Sequence, residues 1–242
     1  MSYQKKAISI DERQAKSTAW ALTFADVVTL LLTFFVLLLV MLNDAEKSIN
    51  VIIDKLLDQT YEEMIKDLKS DEIMVERETK GIKITLRGNL FKSASSEIDT
   101  KYFPIIDKMG NILNRSDLIN IQNKDEYNSL LDIIKKRGLE LNVEVRCEGH
   151  TDDAKLPRGS VYPSNWELSA ARSLNLVKIM NKNALMPEKY FSAMGYGEFR
   201  PIVDIQPQLN FREKQEARAA NRRVEIYLDA FITQKYIKKN NV

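Results

Sequence analysis

Trp20-Ala-Leu-Thr-Phe-Ala-Asp-Val-Val-Thr-Leu-Leu-Leu-Thr-Phe-Phe-Val-Leu-Leu-Leu-Val-Met-Leu42 decides the architecture of this chain. As a helix the stretch would be about 34 Å long, enough to cross a bilayer with some tilt. Asp26 is its one ionisable residue. A carboxylate at such a position costs about 2.5–3.5 kcal/mol even on lenient insertion scales. At about 100° per residue, Thr23, Thr29 and Thr33 share an arc of about 120° with Asp26. That polar stripe needs something other than lipid to face: a partner helix or a wet ion path. Intramembrane carboxylates mark ion pathways by default, and a packing hydrogen bond is the structural alternative.

A cleaved signal peptide fits poorly. Signal cores run 7–15 apolar residues and end at a small-residue cleavage site. This stretch is longer and leads into Asn43-Asp-Ala-Glu46. Lys5, Lys6, Arg13 and Lys16 precede it, whereas Asp44 and Glu46 lie just beyond it. The bias of basic residues predicts a cytoplasmic N-terminus and places the chain beyond Leu42 outside.

The 242 residues leave room, beyond one span, for one soluble domain of ordinary size. Net charge is +2 and the charged residues are spread along the chain, so composition gives no case for nucleic-acid binding. A single cysteine, Cys147, forbids an intrachain disulfide, and its setting predicts a buried strand position. With one histidine and one cysteine there is little raw material for a zinc or thiol–imidazole site, and no enzyme is expected.

Beyond the span, Ile49, Ile52, Ile53, Leu56 and Leu57 recur at helical spacing among charged residues, predicting a short amphipathic helix just outside the bilayer. Thr60 to Glu78 reads as a charged connector. Gly81–Arg87 alternates as a half-buried strand, and Lys101–Leu113 reads as a helix. Asn114–Lys124 reads as polar loop and Asp125–Lys136 as helix. Val143–Cys147 alternates again and runs into Glu148-Gly-His-Thr-Asp152. A loop with Pro157, Gly159 and Pro163 precedes a helix from Asn165 to Asn181, whose apolar set is taken as Leu168, Ala171, Leu174, Val177 and Ile179. Phe191–Met194 and Val224–Leu228 read as strands, Phe211–Ala220 as helix, and the basic tail after Ala230 as frayed. Strands separated by helices describe an α/β or α+β sandwich.

Gly149-His-Thr-Asp152 ends a strand in a loop, where ligand groups commonly sit. Arg172 falls two turns after Asn165 on one helix face. An exposed Asp beside an exposed Arg can hold a zwitterion, the Asp taking its ammonium and the Arg its carboxylate. A plain salt bridge between the two is the alternative.

These residues carry a resemblance. Gly149-His-Thr-Asp152, Asn165-x-x-Leu168-Ser169-x-x-Arg172, Gly195-Tyr-Gly-Glu198, Pro201 and Asn221-Arg-Arg-Val-Glu225 together resemble the OmpA-like peptidoglycan-binding domain, from about Gly81 to Leu228. The resemblance implies that Asp152 and Arg172 hold the diaminopimelate of the peptide stem, with Thr151, Asn165, Leu168 and Ser169 shaping the pocket. The loop Asp153–Ser164 is longer than in the simplest members, and Asn114–Lys124 looks inserted.

Trp20–Phe35, with Phe24-Ala25-Asp26 at its centre, is similar to the N-terminal helix of flagellar stator B subunits, the MotB/PomB family, which joins such a helix to an OmpA-like domain. The resemblance implies that Asp26 binds a translocated H+ or Na+, with Thr23, Thr29 and Thr33 supporting the path and no cofactor or structural metal. It implies a homodimer of B subunits inside a ring of MotA/PomA-type A subunits, five around two. The rotor would be touched through the A subunit, and peptidoglycan through the outer domain. Glu46–Asp58, with Ile49, Ile52, Ile53 and Leu56, takes the place of the family's plug. The expected organisation is a cytoplasmic tail (1–19), a transmembrane helix (20–42), plug and linker (43–76), an OmpA-like domain (77–230) and a basic tail (231–242). Such a protein would sit in the cytoplasmic membrane with its large domain in the periplasm or wall space. Flagellar rotation and anti-phage defence both stay open as the motor's client, and a purely structural wall tether is the reading without transport.

Overall fold

Apolar continuity builds the first element and alternation builds the sheet. In the computed structural model, which describes residues 10–68, 70–87, 90–92, 94–184 and 187–234, helix α1 runs Ile10–Asp67. The chain divides into two compact units, Met1–Val51 and Ile52–Val242. The expected cytoplasmic tail lies outside the described residues at 1–9, and the basic tail does so at 235–242.

In the first unit, Thr18–Met41 is the one described helix segment long and apolar enough to cross a membrane, and none of it is buried. Its threonines satisfy themselves locally. Thr23 Oγ1 donates to the Trp20 carbonyl at 2.9 Å, Thr29 to Asp26 at 2.8 Å and Thr33 to Leu30 at 2.9 Å. Such bonds to the preceding turn leave each hydroxyl an acceptor lone pair facing outward. Ile49, also in this unit, is buried.

The second unit is a five-stranded sheet in the order β1-β2-β5-β3-β4. Its strands are β1 (Ile73–Glu78), β2 (Gly81–Arg87), β3 (Leu139–Gly149), β4 (Phe191–Gly195) and β5 (Arg223–Gln234). All neighbours are antiparallel except β3 and β4, which are parallel through a crossover. That crossover carries α5 (Asn165–Ala184), which packs on both strands. Helix α2 (Phe103–Arg115) packs on α5, and α4 (Asn128–Lys136) on β3. Helix α6 (Phe211–Asn221) precedes β5 and opens with a capping box: Asn210 accepts from Glu213 N–H while Glu213 accepts from Asn210 N–H. Buried Ile82, Ile84, Ile106, Ile112, Val145, Leu176, Ile226 and Leu228 fill the core.

Four expectations change. Thr60–Glu78 is not a connector: α1 continues to Asp67, and Ile73–Glu78 is β1, hairpinned onto β2. Its exposed charges protect an edge strand rather than mark a linker. Within the second unit the apolar stripe Ile53, Leu56, Leu57, Met64 and Leu68 is buried, and Ile52 is half-buried. Arg77 clasps Asp54 and Asp58 at 3.0 and 2.7 Å, while Arg115 reaches Glu63 and Asp67. The apolar side chains Ile53, Leu56 and Leu57 of the plug-like segment are thus buried within the second unit rather than free. Asn114–Lys124 is not loop: it holds α3 (Asp117–Asn120) and a 3-10 turn, because Leu118 and Ile121 are buried and Ser116 caps the helix. Residues 231–234 are not frayed, since β5 pairs with β3 out to Gln234. Cys147 is buried in β3, and burial pushes its thiol up to about 12.

Candidate functional site

The motif residues converge because α5 lies against the ends of β3 and β4 with no space between. A Cβ added at Gly149 would stand 2.1 Å from the Ser169 carbonyl oxygen, and one at Gly195 would stand 2.3 Å from Ala170 N. Gly197, at φ +55, turns the chain so that its carbonyl accepts from Thr151 N–H at 2.9 Å and its N–H donates to Ser169 Oγ at 2.9 Å. Ser169 is therefore a buried strut between α5 and the Gly195–Gly197 turn. Ser164 caps α5, its hydroxyl accepting from Trp166 N–H at 3.2 Å.

Asp152, Thr151, Asn165, Leu168 and Arg172 all line one cleft of about 630 Å³. The structure brings together the expected pocket set apart from Ser169, which supports it from behind. Asn165, nearly buried, donates to Glu198 Oε2 at 2.6 Å and to the carbonyls of Ala154 and Asp152 at 3.2 and 3.3 Å, which pins the rim. Thr151 Oγ1 is buried and has no hydrogen-bond partner among the described residues.

Two expectations about the charged pair are corrected. Arg172 is not on an exposed face; it is 6% exposed. The buried stripe of α5 runs Leu168, Arg172, Leu176 and Met180, four residues apart, whereas Leu174 faces solvent. Its Nε donates to the Ser95 carbonyl at 3.0 Å, and the guanidinium lies 5.0 Å over the Phe91 ring. Burial pulls the Arg172 guanidinium down to about 10, while the Asp152 charge works the other way and Arg222 adds to the lowering. Nor do Asp152 and Arg172 form the simple salt bridge that was the alternative. Asp152 Oδ2 accepts from Arg222 at 2.6 Å and Oδ1 caps Ala154 N–H at 3.1 Å. Asp152 thus lines the cleft with three guanidiniums, Arg172, Arg222 and Arg223, and basic side chains outnumber carboxylates along its wall.

Arg222 was missed as a site residue. It stands inside the Asn221-Arg-Arg-Val-Glu225 motif, but its reach across the cleft depends on where β5 starts. Phe91, Lys92 and Asp99 also line the cleft, from a segment in which no pattern marks a site. Neighbouring Asp153 is fixed by Arg218 through two bonds of 2.6 and 3.1 Å, which lowers its carboxyl.

Beneath the cleft lies a buried trio, Glu148, His150 and Glu225, with ligand-type atoms within 4.8 Å of one another. Its carboxylates are already engaged. Glu225 meets Arg223 at 2.7 Å, Tyr227 OH at 2.7 Å and Lys83 at 3.4 Å, and Glu148 meets Arg146 at 3.2 Å. Burial opposes the charged form of Glu225, but His150, Arg223 and Tyr227 outweigh it and hold the carboxyl well below its usual range. This is an ion network that ties β2, β3 and β5 together.

A lone carboxylate on an exposed apolar helix, followed by a mixed α/β domain with a charged cleft, defines a class by its architecture: a candidate membrane span joined to a mixed α/β sheet domain. Residues 4–59 match the family described as membrane MotB of the proton-channel complex MotA/MotB. The chain is 27% identical over 225 residues to the uncharacterized protein YtxE of Bacillus subtilis (strain 168), covering 88% of each. It is 27% identical over 169 residues to Motility protein B of the same organism, covering 69% of this chain and 52% of that one. A crystal structure of a MotB-like protein from Desulfovibrio vulgaris shares the fold, with a TM-score of 0.54 at 18% identity, over 76% of this chain and 98% of that one. The N-terminal quarter of the chain thus matches the MotB family model, and the rest is similar to these relatives in sequence and fold.

Proposed function

We propose that this protein is the B subunit of an ion-driven stator: Asp26 carries the coupling ion, and the outer domain fixes the complex to the cell wall. The observation that carries the reading is Asp26 itself. It is an ionisable group on a helix whose surface is otherwise suited to lipid, in a segment matching the MotB family. The three threonines donate backward to their own helix, which leaves their acceptor lone pairs and the Asp26 carboxylate to meet an ion or a partner helix.

The family description names MotA beside MotB, which supports an A-type partner. In the proposed complex a B dimer sits inside the ring of A subunits, with the large domain outside a cytoplasmic membrane. In the cleft, Asp152 would take the ammonium and Arg172 the carboxylate of a stem-peptide zwitterion, with Arg222 balancing Asp152 when the cleft is empty. An ion moving down a 100 mV potential delivers about 2.3 kcal/mol per charge. That work becomes torque on a rotor only if one part is held fixed, which is the role proposed for the cleft.

The test is Asp26→Asn in cells carrying the A partner, scored for flagellar rotation and for co-purification of the two subunits. Asn keeps the size and hydrogen bonding without the titratable charge. The expected result is loss of rotation with assembly intact. Normal rotation would overturn the ion-site assignment.

A further inference from the structure

Trp166 and Phe199 stack on each other, with ring centroids 5.0 Å apart and planes 22° from parallel, yet they remain 47% and 62% exposed. They lie outside the buried core, and contiguous exposed apolar groups, aromatic ones among them, mark contact surfaces. Both are carried by backbone already fixed to the cleft. Trp166 adjoins Asn165, which lines the cleft. Phe199 adjoins Glu198, which accepts from that same Asn165 at 2.6 Å. Gly197, next to Glu198, is locked to Thr151 and Ser169.

We propose that the Trp166–Phe199 pair is a subsite for a sugar ring of the glycan strand, next to the stem-peptide cleft. The inference rests on reading that cleft as a stem-peptide site. In peptidoglycan the stem is joined covalently to a sugar through its lactyl group, so a stem seated between Asp152 and Arg172 brings the sugar to the rim. Sugar rings present an apolar C–H face that stacks on aromatic rings, while their hydroxyls point sideways. Exposed Glu167 and half-buried Glu198 adjoin the two rings in sequence; Oε2 of each is hydrogen-bonded, to Ser164 and to Asn165, and their Oε1 atoms are acceptors for those hydroxyls. Two rings fixed in advance lose little freedom on binding, which favours affinity.

The experiment uses the full chain in detergent micelles, titrated calorimetrically with two probes. One is the tetrapeptide L-Ala-γ-D-Glu-meso-diaminopimelate-D-Ala; the other is the same tetrapeptide on a GlcNAc–MurNAc disaccharide. The wild type is expected to bind the disaccharide form about tenfold more tightly. Trp166→Ala and Phe199→Ala should lose that increment and keep the tetrapeptide affinity, which also reports an intact cleft. Trp166→Phe should retain most of it. Tetrapeptide binding with no gain from the disaccharide would overturn this inference alone, whereas binding of neither probe would overturn the stem-peptide reading and the inference with it. Equal weakening of both probes by Trp166→Ala would make the pair a structural prop. A change in oligomeric state by sedimentation, with the disaccharide gain untouched, would assign the pair to a contact between copies.

Discussion

Asp26 and Arg172 are both charged groups in costly places, but they came to be there by different routes. Asp26 is set in its environment by its immediate neighbours along the chain, since any helix through Trp20–Leu42 presents it from an apolar cylinder. Arg172 is buried by residues far away in sequence: Phe91 and Ser95 on one side and the sheet on the other. Local burial is a property of a segment, whereas burial of Arg172 is a property of the fold. Changes to the α/β domain should therefore mix stability with binding, and changes at Asp26 should not.

The largest structural effect is expected at Gly149. An alanine methyl would overlap the Ser169 carbonyl, a backbone atom that cannot step aside without moving α5 off β3. Gly149→Ala should cost at least about 3 kcal/mol, comparable to the larger core substitutions, and lower the melting temperature by about 6 °C or more. A melt of the full chain within about 1–2 °C of wild type, close to the measurement scatter, would show that α5 and β3 are less tightly joined.

Next come Leu56 and Ile53, which separate the two views of the segment after the span. As a free plug face, alanine there would leave the fold alone and let assembled complexes leak ions. As core, each Leu56→Ala or Ile53→Ala should cost about 2–5 kcal/mol because both side chains are buried. The structure favours a loss of stability. A normal melt with ion leakage on co-expression would mean the stripe leaves its packed position during assembly.

Arg172→Ala and Asp152→Asn test the cleft. Losing a charge-assisted contact costs about 1.5–3 kcal/mol, roughly a tenfold to hundredfold fall in wall binding. The burial of Arg172 adds a second consequence: Arg172→Ala also leaves the Ser95 carbonyl without its donor, so it should melt early as well. Asp152→Asn keeps shape and hydrogen-bonding capacity, and should lose binding with little change in melt. Co-sedimentation with purified cell wall beside a thermal melt reads both quantities. Full pelleting of Asp152→Asn would refute the site.

The smallest effect is a pH dependence through Glu225. Its folded carboxyl sits below the usual range near 4.3, so its contribution is present above that pH and is lost as acidification proceeds toward the folded value. Wild type should lose melting temperature between about pH 5 and pH 3 more steeply than Glu225→Gln. Parallel acid limbs would show that the network with Arg223, Lys83 and Tyr227 is not coupled to folding.

Much of the fold was legible where periodicity is local. The alternation of Gly81–Arg87 and Val143–Cys147 and the helix opening at Asn165 match β2, β3 and α5. β1 was not legible, because an edge strand carries charges like a linker. α3 was not legible either, since two apolar residues in polar sequence reveal their burial only when something packs on them. In the cleft, the residue types were readable from spacing, but the face of α5 was misassigned by counting Leu174 as core. The four-residue run Leu168, Arg172, Leu176, Met180 was available and would have buried Arg172, had an arginine been allowed in an apolar stripe.

By itself the sequence determined the span, its single carboxylate and the chemical types gathered at the end of β3, because each is set by neighbours within a few residues. The tertiary structure alone decided that Asp152 is shared with Arg222, that Arg172 is a buried cation, and that the stripe after the span is covered. Those are pairings between segments tens of residues apart, and their energies come from desolvation and contact, which exist only once the segments have met.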